Sequence, residues 1–176
     1  MSKGEEGQLC QYEYHTADIR FVTINKRTLY RVITTNKYFY HLKSIHVGGS
    51  TINEAFEQQA LAMMNYMVEL SSVDMIADKD DIKEMTITAK GHDMDSLLFA
   101  FMDEYLFTFS TEFIVFKEIH IESFDRDGFT IVSTGRGVEL DKSKHTTGTE
   151  IKAITYSCME IKETKDQTDI FVIVDI

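Results

Sequence analysis

Apolar and polar positions change their period several times along the 176-residue chain, and each change marks an element. After Ser50-Thr51, the residues Ile52, Ala55, Phe56, Ala60, Met63 and Met67 recur at three- and four-residue steps, the period that gathers them into one stripe of an α-helix. Thr51 and Glu54 form an S/T-x-x-E capping box, which satisfies free amides at a helix start, so a helix is expected from there to about Leu70. From Lys83 to Lys90 the pattern switches to alternation, with Met85, Ile87 and Ala89 on one side and Glu84, Thr86 and Thr88 on the other, as in a half-buried strand. Asp93 or Asp95 then caps a second helix whose buried face is Leu97, Leu98, Phe101, Met102, Tyr105 and Leu106, with Asp103 and Glu104 looking outward.

Alternation returns at Val115–Ser123 and again at Phe129–Thr134, and Asp127-Gly128 between them predicts a hairpin with a tight turn of positive φ. Thr149–Ile161 and Ile170–Ile176 read as later strands joined through the polar Lys162–Asp169, and the last run is apolar enough to lie inside a sheet. Tyr12–Ile19 reads as a first strand, preceded by a polar tail over residues 1–11 that is expected to be mobile. The order of elements predicts an α+β fold in one domain over residues 12–176, with two helices packed on one face of a mostly antiparallel sheet.

Composition narrows the classes. Residues 21–44 carry Lys26, Arg27, Arg31, Lys37 and Lys43 and no acidic residue, in a chain whose net charge is −11. Their aromatic content (Phe21, Tyr30, Tyr38, Phe39, Tyr40) suits stacking on single-stranded RNA. The simpler reading is an atypical insertion or a translated intron, because its removal joins Ile19-Arg20 to Ile45-His46-Val47-Gly48-Gly49 as one strand running into the first helix. The acidic remainder repels a phosphate backbone, so a role in RNA chemistry would require a protein partner to hold the RNA. No apolar run approaches the ~20 residues that span a bilayer, and Met1–Cys10 lacks the core of a signal peptide, so a soluble intracellular protein is expected. Cys10 and Cys158 are the only cysteines and are expected to be reduced thiols.

Motifs for common chemistries are missing: the sequence has no H-E-x-x-H, no phosphate-cradling glycine loop and no G-x-S-x-G elbow. His15, His92, His120 and His145 stand alone, as structural or surface histidines usually do. The last residues are more informative. Asp175 follows an apolar strand, which places its side chain one residue from the carboxylate of Ile176. Two carboxylates that close suit a hard, oxygen-preferring cation such as Ca²⁺, Mg²⁺ or Mn²⁺; at a frayed terminus both would simply be left in water.

Five blocks occur together in order: His15-Thr16-Ala17-Asp18, Glu54 to Gln58, Asp95 to Leu98 with Asp103-Glu104, Gly148 to Ser157, and Val174-Asp175-Ile176. In these the chain resembles the archease family, over nearly all its length outside the tail and residues 21–44. The resemblance implies a non-catalytic activator that helps an RtcB-type tRNA-splicing ligase load GMP from GTP onto its own histidine, with tRNA reached only through the ligase complex and no membrane involved. It implies a divalent metal, Ca²⁺ foremost, on Asp18, Asp175 and the carboxylate of Ile176. Lys152 matches a family lysine and is expected to face the partner or a phosphate, while His15 and Thr16 shape the turn that aims Asp18. Tyr14 departs from the pattern, since an acidic residue usually precedes the HTAD motif. The enzyme alternative is a metal-dependent hydrolase or nuclease that activates water through Asp18 and Asp175, and a third reading is an RNA-binding chaperone with steep salt dependence.

Overall fold

A computed structural model describes residues 20–24, 28–34, 41–75 and 81–176, with side chains from residue 41 onward. Its elements are β1 (Arg20–Ile24), β2 (Thr28–Thr34), β3 (Leu42–Gly49), α1 (Ile52–Met67), a 3-10 turn (Leu70–Ser72), β4 (Lys83–Lys90), α2 (Met94–Glu112), β5 (Ile114–Asp125), β6 (Thr130–Glu139), β7 (Ala153–Ile154), β8 (Glu160–Glu163) and β9 (Thr168–Asp175). The expected tail, the first strand over Tyr12–Ile19 and the HTAD motif lie outside the described residues.

Both helices start where their capping residues place them. Thr51 Oγ1 accepts from the Glu54 amide at 3.1 Å, and the Glu54 carboxylate accepts from the Ser50 amide at 2.7 Å, one residue earlier than in the usual box. Gly49 ends β3 where a Cβ would lie 2.6 Å from the Ala55 amide nitrogen, so the strand can pass this close to the first turn of α1 only as glycine. At α2, Asp93 caps: its Oδ1 accepts from the Ser96 amide at 2.7 Å, and Ser96 Oγ accepts from the Asp93 amide at 3.1 Å. Hydrogen bonds from the Ser96 side chain and then its amide hold the Asp93 carboxyl below its ordinary value.

The architecture is α+β with every strand pair antiparallel, but the strands divide into two sheets rather than one. The larger runs β1-β2-β3-β9-β7, with β8 also paired to β9, and the smaller runs β4-β6-β5. The basic stretch at residues 21–44 supplies most of β1, all of β2 and the start of β3. Helix α1 touches β3 and β9 of the larger sheet and β5 of the smaller, while α2 touches all three strands of the smaller sheet and β7 and β8 of the larger. The helices therefore share one core with both sheets. Its centre is an aromatic chain in which Phe101 meets Phe56 at 5.7 Å and Tyr105 at 5.2 Å, and Tyr105 meets Phe116 edge-on at 5.1 Å. All four are fully buried, each apolar ring worth roughly 1.5–3 kcal/mol of transfer free energy. The Tyr105 hydroxyl shares a 2.9 Å hydrogen bond with Ser133 Oγ, and burial pushes its pKa up to about 12.

Three local expectations are corrected. The β5–β6 hairpin closes through Asp125 and Thr130, so four residues form its loop. Asp125 Oδ1 accepts from the amides of Asp127 and Gly128 at 3.1 and 2.9 Å, which folds the loop around that carboxylate and leaves the positive φ (45°) on Phe129 instead of Gly128. Thr149–Ile161 is not one strand: only Ala153–Ile154 and Glu160 onward pair, and Cys158 interrupts them at φ 50°. Cys158 is disulfide-bonded, against the expectation of reduced thiols. Cys10 lies outside the described residues.

Candidate functional site

The site grows from the far end of β9. This strand runs between β3 and β7, with Asp175 opposite Leu42 on one side and Ala153 on the other. Its neighbour Val174 is fully buried in the core, so the two-residue alternation of a strand turns the half-buried Asp175 to the opposite face. The last residue is tied down: the Ile176 amide donates to the His41 carbonyl at 2.7 Å, and its side chain packs against the core. Asp175 and Ile176 thus lie on a segment held by backbone bonds on both sides.

Lys152 reaches the same place from a different part of the chain. Its amide donates to the Asp175 carbonyl at 2.8 Å, fixing it beside the acidic end, while its side chain is exposed and has no ion-pair partner among the described residues. The preceding segment explains this placement. Gly148 and Thr149 donate their amides to the carbonyls of Met67 and Tyr66 at 2.7 and 3.1 Å, capping carbonyls that the end of α1 leaves without helical partners. Gly148 sits so close that a Cβ would lie 2.2 Å from the Tyr66 carbonyl oxygen. Ile151 then plugs into the core at 2 % exposure, and the next residue is Lys152.

Of the expected site residues, Asp175, Ile176 and Lys152 come together, while His15, Thr16 and Asp18 lie outside the described residues. Two oxygen donors of one charge sign suit a hard divalent cation. Among the described residues, no group of three or more His, Cys, Asp or Glu side chains is placed to hold a metal ion. Three histidines singled out from the sequence have other surroundings: His92 is exposed beside Asp93, His120 stands 3.4 Å from Glu57, and His145 is buried with Nδ1 accepting from the Asp141 amide.

The sequence reading missed His41, whose carbonyl anchors Ile176 through a pairing 135 positions away in sequence, for which no local signal exists. Glu57, named only within the block Glu54 to Gln58, has a structural role: its carboxylate accepts from the Ile121 amide at 2.7 Å and so joins α1 to the bulge of β5. Burial pushes that carboxyl above its ordinary value, outweighing the opposing effects of the Ile121 bond and of His120. No helix among the described residues is long and apolar enough to cross a membrane.

Comparison with known proteins places these features. Residues 43–176 match the profile of the Archease protein family (MTH1598/TM1083). A protein archease-like from Dictyostelium discoideum is 55% identical over 172 residues, 97% of this chain and 96% of its own length. A protein archease from Ictalurus punctatus is 44% identical over 133 residues, 75% of this chain and 78% of its own. The solution structure of Methanobacterium thermoautotrophicum protein 1598 superposes with a TM-score of 0.64 at 28% identity, covering 84% of this chain and 98% of that one. On the family match and the relatives that span it, the chain belongs to the archease family.

Proposed function

We propose that this protein is a non-catalytic, metal-binding activator of an RtcB-type tRNA-splicing ligase, promoting GTP-dependent guanylylation and repeated turnover of that enzyme. The observation that supports this best is the end of β9, where Asp175 and Ile176 lie beside the backbone of Lys152, whose amide donates to the Asp175 carbonyl and whose side chain is exposed. With Asp18 these groups would hold a divalent cation, Ca²⁺ foremost and Mg²⁺ or Mn²⁺ as substitutes. The bound cation would supply local positive charge for oxygen ligands contributed by the partner. Lys152 would present its ammonium to the ligase or to a phosphate at the same apex, while the ligase performs the chemistry and contacts the tRNA. Such a role belongs to the cytoplasm and nucleus, where tRNA is spliced.

Calorimetric titration with Ca²⁺ and Mn²⁺ tests the metal site. Asp18→Ala, Asp175→Ala and a chain with one residue added after Ile176 are each expected to lose at least about tenfold in affinity while keeping the wild-type unfolding midpoint. Wild-type affinity in the extended chain would refute the role of the terminal carboxylate. Incubation with GTP and tRNA, with and without the ligase, tests the activity. Turnover without ligase would overturn the activator reading in favour of a hydrolase or nuclease working through Asp18 and Asp175.

A further inference from the structure

We infer that the outward face of α2, together with Tyr156, is a docking surface for an arginine-bearing segment of a partner protein. Helix α2 is nineteen residues long and contains no Lys, Arg or His, while it carries Asp95, Asp103, Glu104 and Glu112. Phe99, Asp103 and Phe107 follow at four-residue steps, so they share one side of the helix over roughly 12 Å. That side faces solvent: Phe107 is 63% exposed and Asp103 is exposed. Tyr156 widens the strip, stacked on Phe99 at a ring separation of 4.4 Å and 5° yet still 56% exposed.

Charge selects the occupant. Some carboxylates elsewhere on the surface are neutralised: Arg136 bridges Glu84 and Glu118, Lys83 holds Glu139, and Arg126 holds Glu163. Asp103 and Glu104 have no ion-pair partner among the described residues, so this strip keeps its negative charge between two aromatic groups. A guanidinium matches it, because its flat face stacks on an aromatic ring while its edge donates two parallel hydrogen bonds to a carboxylate. An RNA strand would meet uncompensated like charge on a chain of net charge −11. A second copy would oppose the same carboxylates to one another.

The test uses the full chain and two probes, nona-arginine and nona-lysine, followed by NMR titration at fixed salt. The expected result is shifts centred on Phe99, Asp103, Glu104, Phe107 and Tyr156, tighter binding of the arginine peptide, and about tenfold weaker binding in Phe107→Ala and in Asp103→Asn with Glu104→Gln. The altered side chains are exposed; if Phe107→Ala fails to fold, the double amide variant decides. Shifts centred on another acidic surface, wild-type affinity in the variants, a uridine oligonucleotide shifting the same residues, or self-association abolished by Phe107→Ala would each overturn the inference. The inference is separate from the metal site, and a parallel binding assay with purified ligase keeps the two apart. If the arginine peptide maps to α2 but the wild-type chain does not bind ligase, the activator reading fails and the docking surface stands.

Discussion

Replacing Gly148 with alanine tests how the chain delivers Lys152 to the end of β9. A Cβ at Gly148 would lie 2.2 Å from the Tyr66 carbonyl oxygen, far inside the 3.0 Å that real Cβ atoms essentially never breach. The obstacle is backbone at the end of a packed helix, so it cannot swing aside, and the segment must lift away. Lifting removes the amide bonds from Gly148 to Met67 and from Thr149 to Tyr66. At a net of about 1 kcal/mol each, with a further contribution of order 1 kcal/mol for a helix carbonyl left unsatisfied, the loss is about 3 kcal/mol. For a domain of this size that lowers the melting temperature by roughly 6–12 °C. Gly48→Ala is the control, because its Cβ would meet only the ends of the Asp169 and Gln167 side chains at 3.2 Å. Its expected effect is neutral to stabilising by up to about 1 kcal/mol, since alanine costs less backbone entropy in a strand. Urea denaturation of both variants reads the difference. A Gly148→Ala chain within about 0.5 kcal/mol of wild type would refute the claim that this close approach fixes the segment.

Two further predictions concern stability. The Glu57 carboxyl is raised by burial above its ordinary 4.5, so in the window from 4.5 up to its folded value the native chain binds more protons than the unfolded one. Stability contributed by this group is therefore complete below 4.5 and lost as pH rises through the folded value. Glu57→Gln keeps an acceptor for the Ile121 amide and removes the titration, so the variant should gain on wild type as pH rises across that window in urea melts; parallel profiles would contradict the assignment. Phe113 ends α2 at φ 55° with its side chain 56% exposed, a position that favours glycine. Phe113→Gly is expected to raise stability by about 1 kcal/mol, measured as an upward shift of the thermal midpoint, and a fall would show that its ring packs to greater effect than its backbone is strained.

The elements that sequence patterning captured are those whose signals are local. Thr51 and Asp93 both cap within a few residues, and the α2 face from Leu97 to Leu106 is 5% exposed or less throughout. Strand β4 occupies Lys83–Lys90, the residues that its alternation marks. The errors lie where a distant group competes for the backbone. Thr149–Ile161 has strand-like composition, but the amide of its first residue bonds to the end of α1 and not to a neighbouring strand. At the β5–β6 loop, the Asp125 side chain bonds the following amides and moves the positive φ to Phe129. At the candidate site, the sequence names Lys152 and Asp175 but carries no signal for the backbone bond that joins them.

The sequence by itself determined which segments are helices, where they begin and which faces they bury, because each depends on groups within a turn or a strand of one another. Only the tertiary structure decided that the strands form two sheets sharing both helices and that β9 lies between β3 and β7. Strand order and register come from backbone bonds between residues far apart in sequence, such as Lys152 to Asp175 and Ile176 to His41, which no local pattern of side chains records.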